Sequence, residues 1–176
     1  MKSKDILSLM LVISLISCGS CKNQKPKASM TQEEIDEQLI HVNKQLIKDD
    51  KILINHFVRE KGWEMKESGT GLRYWIYEEG QDSTQAEDGM TAEVQYEVTL
   101  LDGTLCSMTK ENEAKRFVIG HADIESGIHE AILFMSPGDK AKVILPPHLA
   151  HGLTGDMVKI PLHSTLVYDI TLVSLR

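Results

Sequence analysis

Residues 117–168 read FVIGHADIESGIHEAILFMSPGDKAKVILPPHLAHGLTGDMVKIPLHSTLVY, and the punctuation of this stretch decides the fold. A strand ends at Gly120 and a short amphipathic helix follows. Pro137-Gly138 then turns the chain into a second strand that stops at Pro146-Pro147. A long loop through Gly152, Gly155 and Pro161 leads into a last β-branched strand. Apolar and aromatic side chains gather at the element ends with no acid–base set beside them. The stretch therefore predicts a shaped apolar pocket and not a hydrolytic centre.

Upstream, residues 72–77 (LRYWIY) are β-rich and bounded by Gly69, Gly71 and Gly80. Residues 81–89 form a polar loop. Residues 91–100 (TAEVQYEVTL) alternate cleanly, with Ala92, Val94, Tyr96, Val98 and Leu100 on one face and Glu93, Gln95, Glu97 and Thr99 on the other. That is a half-buried antiparallel strand with one wet face. Asp102-Gly103 signals a tight turn into residues 104–108, and a charged loop, 110–115, precedes the opening stretch. About five strands and one short late helix make an α+β pattern.

Ahead of the strands the period is helical. Thr31 with Glu34 three residues on forms a capping box, and Glu33, Glu34 and Asp36 favour a helix start. Ile35, Leu39, Val42, Leu46, Leu53 and Phe57 make one apolar stripe, with a lapse at Asp49-Asp50 that would kink or split the helix, and Gly62 ends it. The stripe must pack on the following domain or on a twin helix in a homodimer.

The first residues read as an address. Lys2 and Lys4 precede an apolar run, 6–16, too short to span a bilayer. It ends in Leu15-Ile16-Ser17-Cys18, which resembles a bacterial lipobox, so Cys18 is the expected lipidation site. The expected layout is a signal peptide at 1–17, a flexible tether at 18–28, a helical extension at 29–62 and a folded domain at 63–176. Gly19 and the lack of an acidic run after Cys18 resemble the sorting pattern of outer-membrane lipoproteins facing the periplasm. Cys21 could bridge Cys106, although a small buried apolar role for Cys106 is the simpler reading.

With 41% hydrophobic and 26% charged residues the 176-residue chain is a folded protein with room for one domain and an extension. Its net charge of −7 and lack of a basic patch argue against nucleic acid as a partner. His148 and His151 form an H-x-x-H, but on a loop after two prolines and without a further ligand at metal spacing, so no metal or other cofactor is expected. His129 reads as a surface or hydrogen-bonding group near Glu130, and Asp139 as turn chemistry. Ser17 and Ser107 have no triad context.

An ordered set of markers resembles the FKBP-type peptidyl-prolyl isomerases. It comprises Gly71-Leu72-Arg73-Tyr74, Tyr96, Leu101-Asp102-Gly103-Thr104, Phe117 with Gly120, and Ser126-Gly127. Met135-Ser136-Pro137-Gly138-Asp139, Pro147, Ala150, Gly152, Gly155, Ile160-Pro161 and Thr165-Leu166-Val167-Tyr168-Asp169 complete it. The resemblance covers residues 64–175. Within the family, the wording at 125–131 and 149–152 is similar to lipoprotein members from Bacteroidota, including those associated with gliding motility. It implies a twisted antiparallel sheet wrapped around one short helix, preceded here by the helical extension. It also implies catalysis of X–Pro rotation in proline-containing clients, which in the cell envelope are envelope proteins.

By that resemblance Tyr96, Phe117, Ile124 and Tyr168 form an apolar wall, and Ile160 lines the rim. The backbone N–H of Glu125 binds a substrate carbonyl, a role indifferent to its side chain. His151 stands where the family usually has a tyrosine donor. The chain departs from the family at Ile128, where a tryptophan commonly forms the pocket floor, and at Cys106-Ser107, in place of Phe-Asp. These changes predict a shallower floor, a thinner wall, a weakened polar anchor, poor macrolide binding and low turnover. A binding or chaperone module of the same fold is the alternative reading.

Overall fold

The computed structural model describes residues 30–110 and 113–176. The expected signal peptide and tether, with Cys18 and Cys21, lie outside them. Among the described residues no helix is long and apolar enough to cross a membrane.

Helix α1 spans Gln32–Lys61. Its start is the reciprocal box expected from sequence: Glu34 N–H donates to Thr31 Oγ1 at 3.2 Å, and Thr31 N–H to Glu34 Oε2 at 2.8 Å. It ends at Gly62, whose φ of +67° is the left-handed conformation a side chain resists. The helix runs unbroken through Asp49-Asp50, against expectation. Asp49 accepts from Gln45 one turn earlier, and Asp50 is buried against His163, with 3.0 Å between Oδ1 and Nε2. Of the expected stripe, Phe57 packs beside the buried Ile54, whereas Leu53 is 58% exposed and does not pack within the chain.

Ile40–Arg176 forms a compact unit that contains the later part of α1 and all the strands. The strands are β1 (Lys66–Glu67), β2 (Arg73–Glu78), β3 (Thr91–Leu100), β4 (Leu105–Met108), β5 (Lys115–Val118), β6 (Lys140–Leu145) and β7 (Leu166–Leu175). Helix α2 (Ser126–Ile132) lies between β5 and β6. The sheet has seven strands where about five were counted from sequence, the smallest being the two-residue β1. All pairings are antiparallel, in the order β1-β2-β6-β7-β3-β4, with β5 also on β3. β5 takes the first half of the outer edge of β3 and β4 the second half.

Period-two alternation sorts side chains onto two faces. On β7, Leu166, Tyr168, Ile170 and Leu172 join Val143 and Leu145 of β6 and Ile128, Ala131 and Ile132 of α2 in the main core. Val167 and Ile144 point the other way and pack on Ile54 of α1, with Phe57, Val58, Trp63, Met65 and Leu101 around them. The sheet is thus covered on one face by α2 and on the other by the later part of α1. An α+β fold of this kind, with one short helix against a twisted antiparallel sheet, is what the sequence implied.

Two carboxylates hold the connections. Asp139, 6% exposed, accepts from Gly80 N–H at 2.7 Å and Ser136 N–H at 2.8 Å, tying the Pro137-Gly138 turn to the end of β2. A Cβ on Gly80 would lie 2.1 Å from the Pro137 carbonyl oxygen, so the close approach demands glycine there. Asp156 Oδ1 accepts from Val158, Lys159 and Ile160 N–H at 2.9, 2.8 and 2.6 Å, which curls the long loop before β7. These bonds hold its carboxyl below the usual carboxylate range.

Candidate functional site

The open end of the α2-covered face holds a cavity of about 210 Å³. Tyr96 comes from β3, Phe117 from β5 and Tyr168 from β7, while Ile124 and Glu125 lead into α2 and Ile128 lies in its first turn. Ser107, His151 and Ile160 also line it. Nine of the ten pocket residues expected from sequence thus share one wall, although they span 73 positions of chain. Cys106 is the exception. It is 4% exposed in the core, its thiol meets the Thr104 carbonyl at 3.7 Å, and burial pushes that thiol up from its ordinary value. Its short side chain does not reach the wall that a larger one would.

The aromatic wall is built from cross-strand neighbours. Tyr96 and Tyr168 lie with ring centroids 5.9 Å apart, tilted by 53°. The Lys115 ammonium sits 5.9 Å from the Tyr96 centroid. Phe117 is met edge-on by His129 of α2 at 5.8 Å. His129 Nδ1 accepts from Gly120 N–H at 2.9 Å, so the ring's proton is on Nε2, which donates to the Ala122 carbonyl at 3.0 Å. His129 therefore pins the β5–α2 turn behind Phe117, a supporting role its sequence position alone did not disclose.

Glu125 departs most from expectation. It is the residue before the first turn of α2, with φ −57° and ψ 131° and no capping bond from its side chain. Among the described residues its N–H donates to no protein acceptor, leaving that group for a ligand carbonyl. Its side chain is far from indifferent: Oε1 accepts from the Tyr168 hydroxyl at 2.8 Å and lies 3.1 Å from His151 Nε2. Burial, followed by the adjacent Glu125 charge and this hydrogen bond, raises the Tyr168 phenol well above its ordinary range. Glu125 thus brings a carboxylate to the cavity that Ser107 also lines. Sequence carried no signal for this, because a glutamate before a helix reads as dipole complementarity.

His148 and His151 do not act together. His148 Nε2 lies 2.9 Å from the Thr70 carbonyl, while His151 faces Glu125. A second cavity, of about 300 Å³, lies between α1 and the loop before β7, lined by Leu46, Ile47, Pro147 and Leu153 beside Asp50 and His163. None of the residues singled out for the pocket lines it.

With the geometry in view, comparison with known proteins is direct. The sequence profile of the FKBP-type peptidyl-prolyl cis-trans isomerase family matches residues 82–173. The Drosophila melanogaster protein named peptidyl-prolyl cis-trans isomerase Fkbp12 is 34% identical over 98 residues, 55% of this chain and 91% of its own length. The Buchnera aphidicola protein named FKBP-type peptidyl-prolyl cis-trans isomerase FkpA is 29% identical over 179 residues, 96% of this chain and 71% of its own length. Its Escherichia coli K12 namesake is 34% identical over 121 residues, 68% of this chain and 43% of its own length. An aromatic cavity between a short helix and an antiparallel sheet, with these matches across it, makes this chain a member of the FKBP-type peptidyl-prolyl cis-trans isomerase family.

Proposed function

We propose that the chain rotates X–Pro bonds of proline-containing polypeptides in the cavity walled by Tyr96, Phe117, Ile124 and Tyr168. The observation that carries this reading is the convergence of those residues, from three strands and a helix entry, on one cavity beside the N–H of Glu125, which among the described residues donates to no protein acceptor.

Amide resonance sets a rotation barrier of roughly 20 kcal/mol. No bond breaks, so neither a nucleophile nor a cofactor is called for. Taking the imide out of water into an apolar cavity weakens the resonance that keeps it planar. A hydrogen bond to the substrate carbonyl that is stronger in the twisted state lowers the barrier, each 1.36 kcal/mol being about tenfold in rate. Glu125 N–H and His151 are the proposed donors. Ile160 closes the rim, Ile128 forms the floor, Ser107 lies at its edge and Cys106 backs the wall.

Protease-free measurement of cis–trans relaxation on X–Pro peptides tests this. Catalysis is expected, and at least tenfold loss in Tyr96→Ala. Unchanged catalysis in that variant removes the pocket assignment. The second reading, a client-binding module with weak turnover, draws on Ile128 and Ser107 standing where larger or charged groups are usual in the family. It predicts suppressed client aggregation with little acceleration, and recovered turnover in Ile128→Trp or Ser107→Asp.

The same proposal extends to place and assembly. The run at 6–16 ending in Cys18 supports a lipid-anchored protein of the cell envelope, at the outer membrane and facing the periplasm, acting on envelope clients. Loss of labelled-palmitate incorporation in Cys18→Ala is the expected result. The exposed Ile35, Leu39, Val42 and Leu53, spaced by threes and fours, support a homodimer through α1. Sedimentation of the lipid-free protein measures it.

A further inference from the structure

We infer that the loop segment 153–162, at the border of the cavity, is a docking surface for the client chain and selects proline-containing segments with apolar residues close to the proline. The inference rests on the pocket reading above and adds the class of polypeptide that the pocket serves.

The four most exposed large apolar side chains among the described residues all lie on this segment: Met157 at 87%, Val158 at 84%, Leu162 at 70% and Leu153 at 60%. Singly such exposure is ordinary, but its concentration on one short loop marks a contact surface. The loop is not slack. Asp156 Oδ1 gathers the N–H groups of Val158, Lys159 and Ile160, and Asp156 N–H donates to the Ile160 carbonyl at 3.2 Å. The Ser164 hydroxyl ties the far end to the Pro161 carbonyl at 2.9 Å. Within these bonds Met157 holds a φ of +59°, a left-handed conformation uncommon for a residue with a long side chain. Met157 and Val158 are therefore presented to solvent on an ordered backbone, which lowers the entropy cost of contact.

What covers the loop follows from where it stands. Asp156 and Ile160 bracket Met157 and Val158, and both line the cavity, as does His151 two residues before Leu153. A polypeptide whose proline occupies the cavity runs out over its rim, and this loop is the border richest in exposed apolar side chains. At about 3.3 Å per extended residue, the few residues next to the proline are those that reach it. A lipid surface would also accept Met157 and Val158 beside Lys159, but it gives no reason for the same loop to line the cavity on both sides of them.

Two X–Pro peptides of equal length are the probe, one flanked by leucine and valine and the other by serine. In protease-free relaxation the wild type should show a KM roughly five- to tenfold lower for the apolar-flanked peptide, the scale of one partly covered apolar side chain, with kcat alike. In the double variant Met157→Asn, Val158→Ser the two peptides should converge, the serine-flanked kcat/KM staying within about twofold of wild type. Met157→Leu should keep the preference. Both positions are exposed, so the urea midpoint should not move. No preference in the wild type, a preference that survives the double substitution, or an equal loss on both peptides overturns the inference. Flotation with phosphatidylglycerol vesicles, abolished in the double variant while the peptide preference survives, would assign the loop to a lipid surface instead. Absence of turnover on both peptides refutes the isomerase reading. Fluorescence anisotropy of the labelled peptides then still decides the loop: tighter binding of the apolar-flanked peptide in wild type and not in the double variant supports it, and equal binding removes it.

Discussion

Val167 and Tyr168 are neighbours on β7 and serve opposite faces of one sheet. Tyr168 looks toward α2, where its ring walls a cavity and its hydroxyl meets a carboxylate. Val167 looks toward α1, where it joins Ile54 and Ile144 in a small apolar cluster. The α2 face carries Glu125, His151, Asp156 and Lys115 around an open space, whereas on the α1 face Ile54, Ile144 and Val167 pack directly on one another. The difference teaches that the two coverings do different work: one helix entry shapes a site, and the other helix closes a surface. Substitutions on the two faces should therefore separate stability from catalysis.

The largest effect belongs to the α1 face. Ile54 is 2% exposed, and Ile54→Ala should cost about 3 kcal/mol of stability, within the range for buried aliphatic truncations. The fall is read as a lower urea midpoint at unchanged slope. Turnover per folded molecule should be untouched, because Ile54 lines no part of the cavity. A fall in kcat/KM at full folding would mean that the two faces are coupled and would break the comparison.

The unequal legibility of the two faces follows from what sequence patterns encode. The β3 boundaries, the capping box, the Asp102-Gly103 turn and the nine residues of the cavity wall were readable, because alternation, caps and turn residues are local and the family's markers are ordered along the chain. The α1 face was not. Helical spacing admits two neighbouring stripes; the one read from sequence left its partner open between the following domain and a twin helix, and it is Ile54, beside it, that is buried within the chain. Asp50 read as a break in the helix, since its partner, His163, is 113 positions away. The Glu125 side chain was illegible for the same reason: its hydrogen bond from Tyr168 and its approach to His151 are tertiary.

Alkaline pH sharpens the contrast from the α2 face. Tyr168 is 4% exposed, and its phenol is held above the ordinary range first by burial and then by Glu125. The unfolded chain releases this proton near pH 10 while the folded chain keeps it, so its stabilising contribution is complete below pH 10 and is lost as pH climbs further. The slope is about 1.4 kcal/mol per pH unit for one such group. Tyr77, raised to about 12 by burial and by the hydrogen bond to Asp169, adds to the loss in the same direction between pH 10 and 12, reduced by solvent because the ring is part-exposed. In urea melts at pH 9 and pH 11, Tyr168→Phe should therefore lose about 1.4 kcal/mol less than wild type. An equal loss in both would show that the buried phenol is not the group responsible.

The smallest effect comes from the residue beside Ile54. Leu53 is 58% exposed, so Leu53→Ser should move the stability of a single chain by no more than about 0.5 kcal/mol. Its interest lies in assembly. Leu39, Val42, Leu46 and Leu53 fall at the threes-and-fours spacing of a paired helix, and all but Leu46 are more than half exposed. If two copies pair along that stripe, the wild-type unfolding midpoint rises with protein concentration by mass action. Leu53→Ser should weaken that dependence with little change at the lowest concentrations. Ile54→Ala should lower the midpoint at every concentration and keep the dependence. Two adjacent residues on one helix would then separate packing within a chain from pairing between chains, and a midpoint independent of concentration in wild type would remove the homodimer.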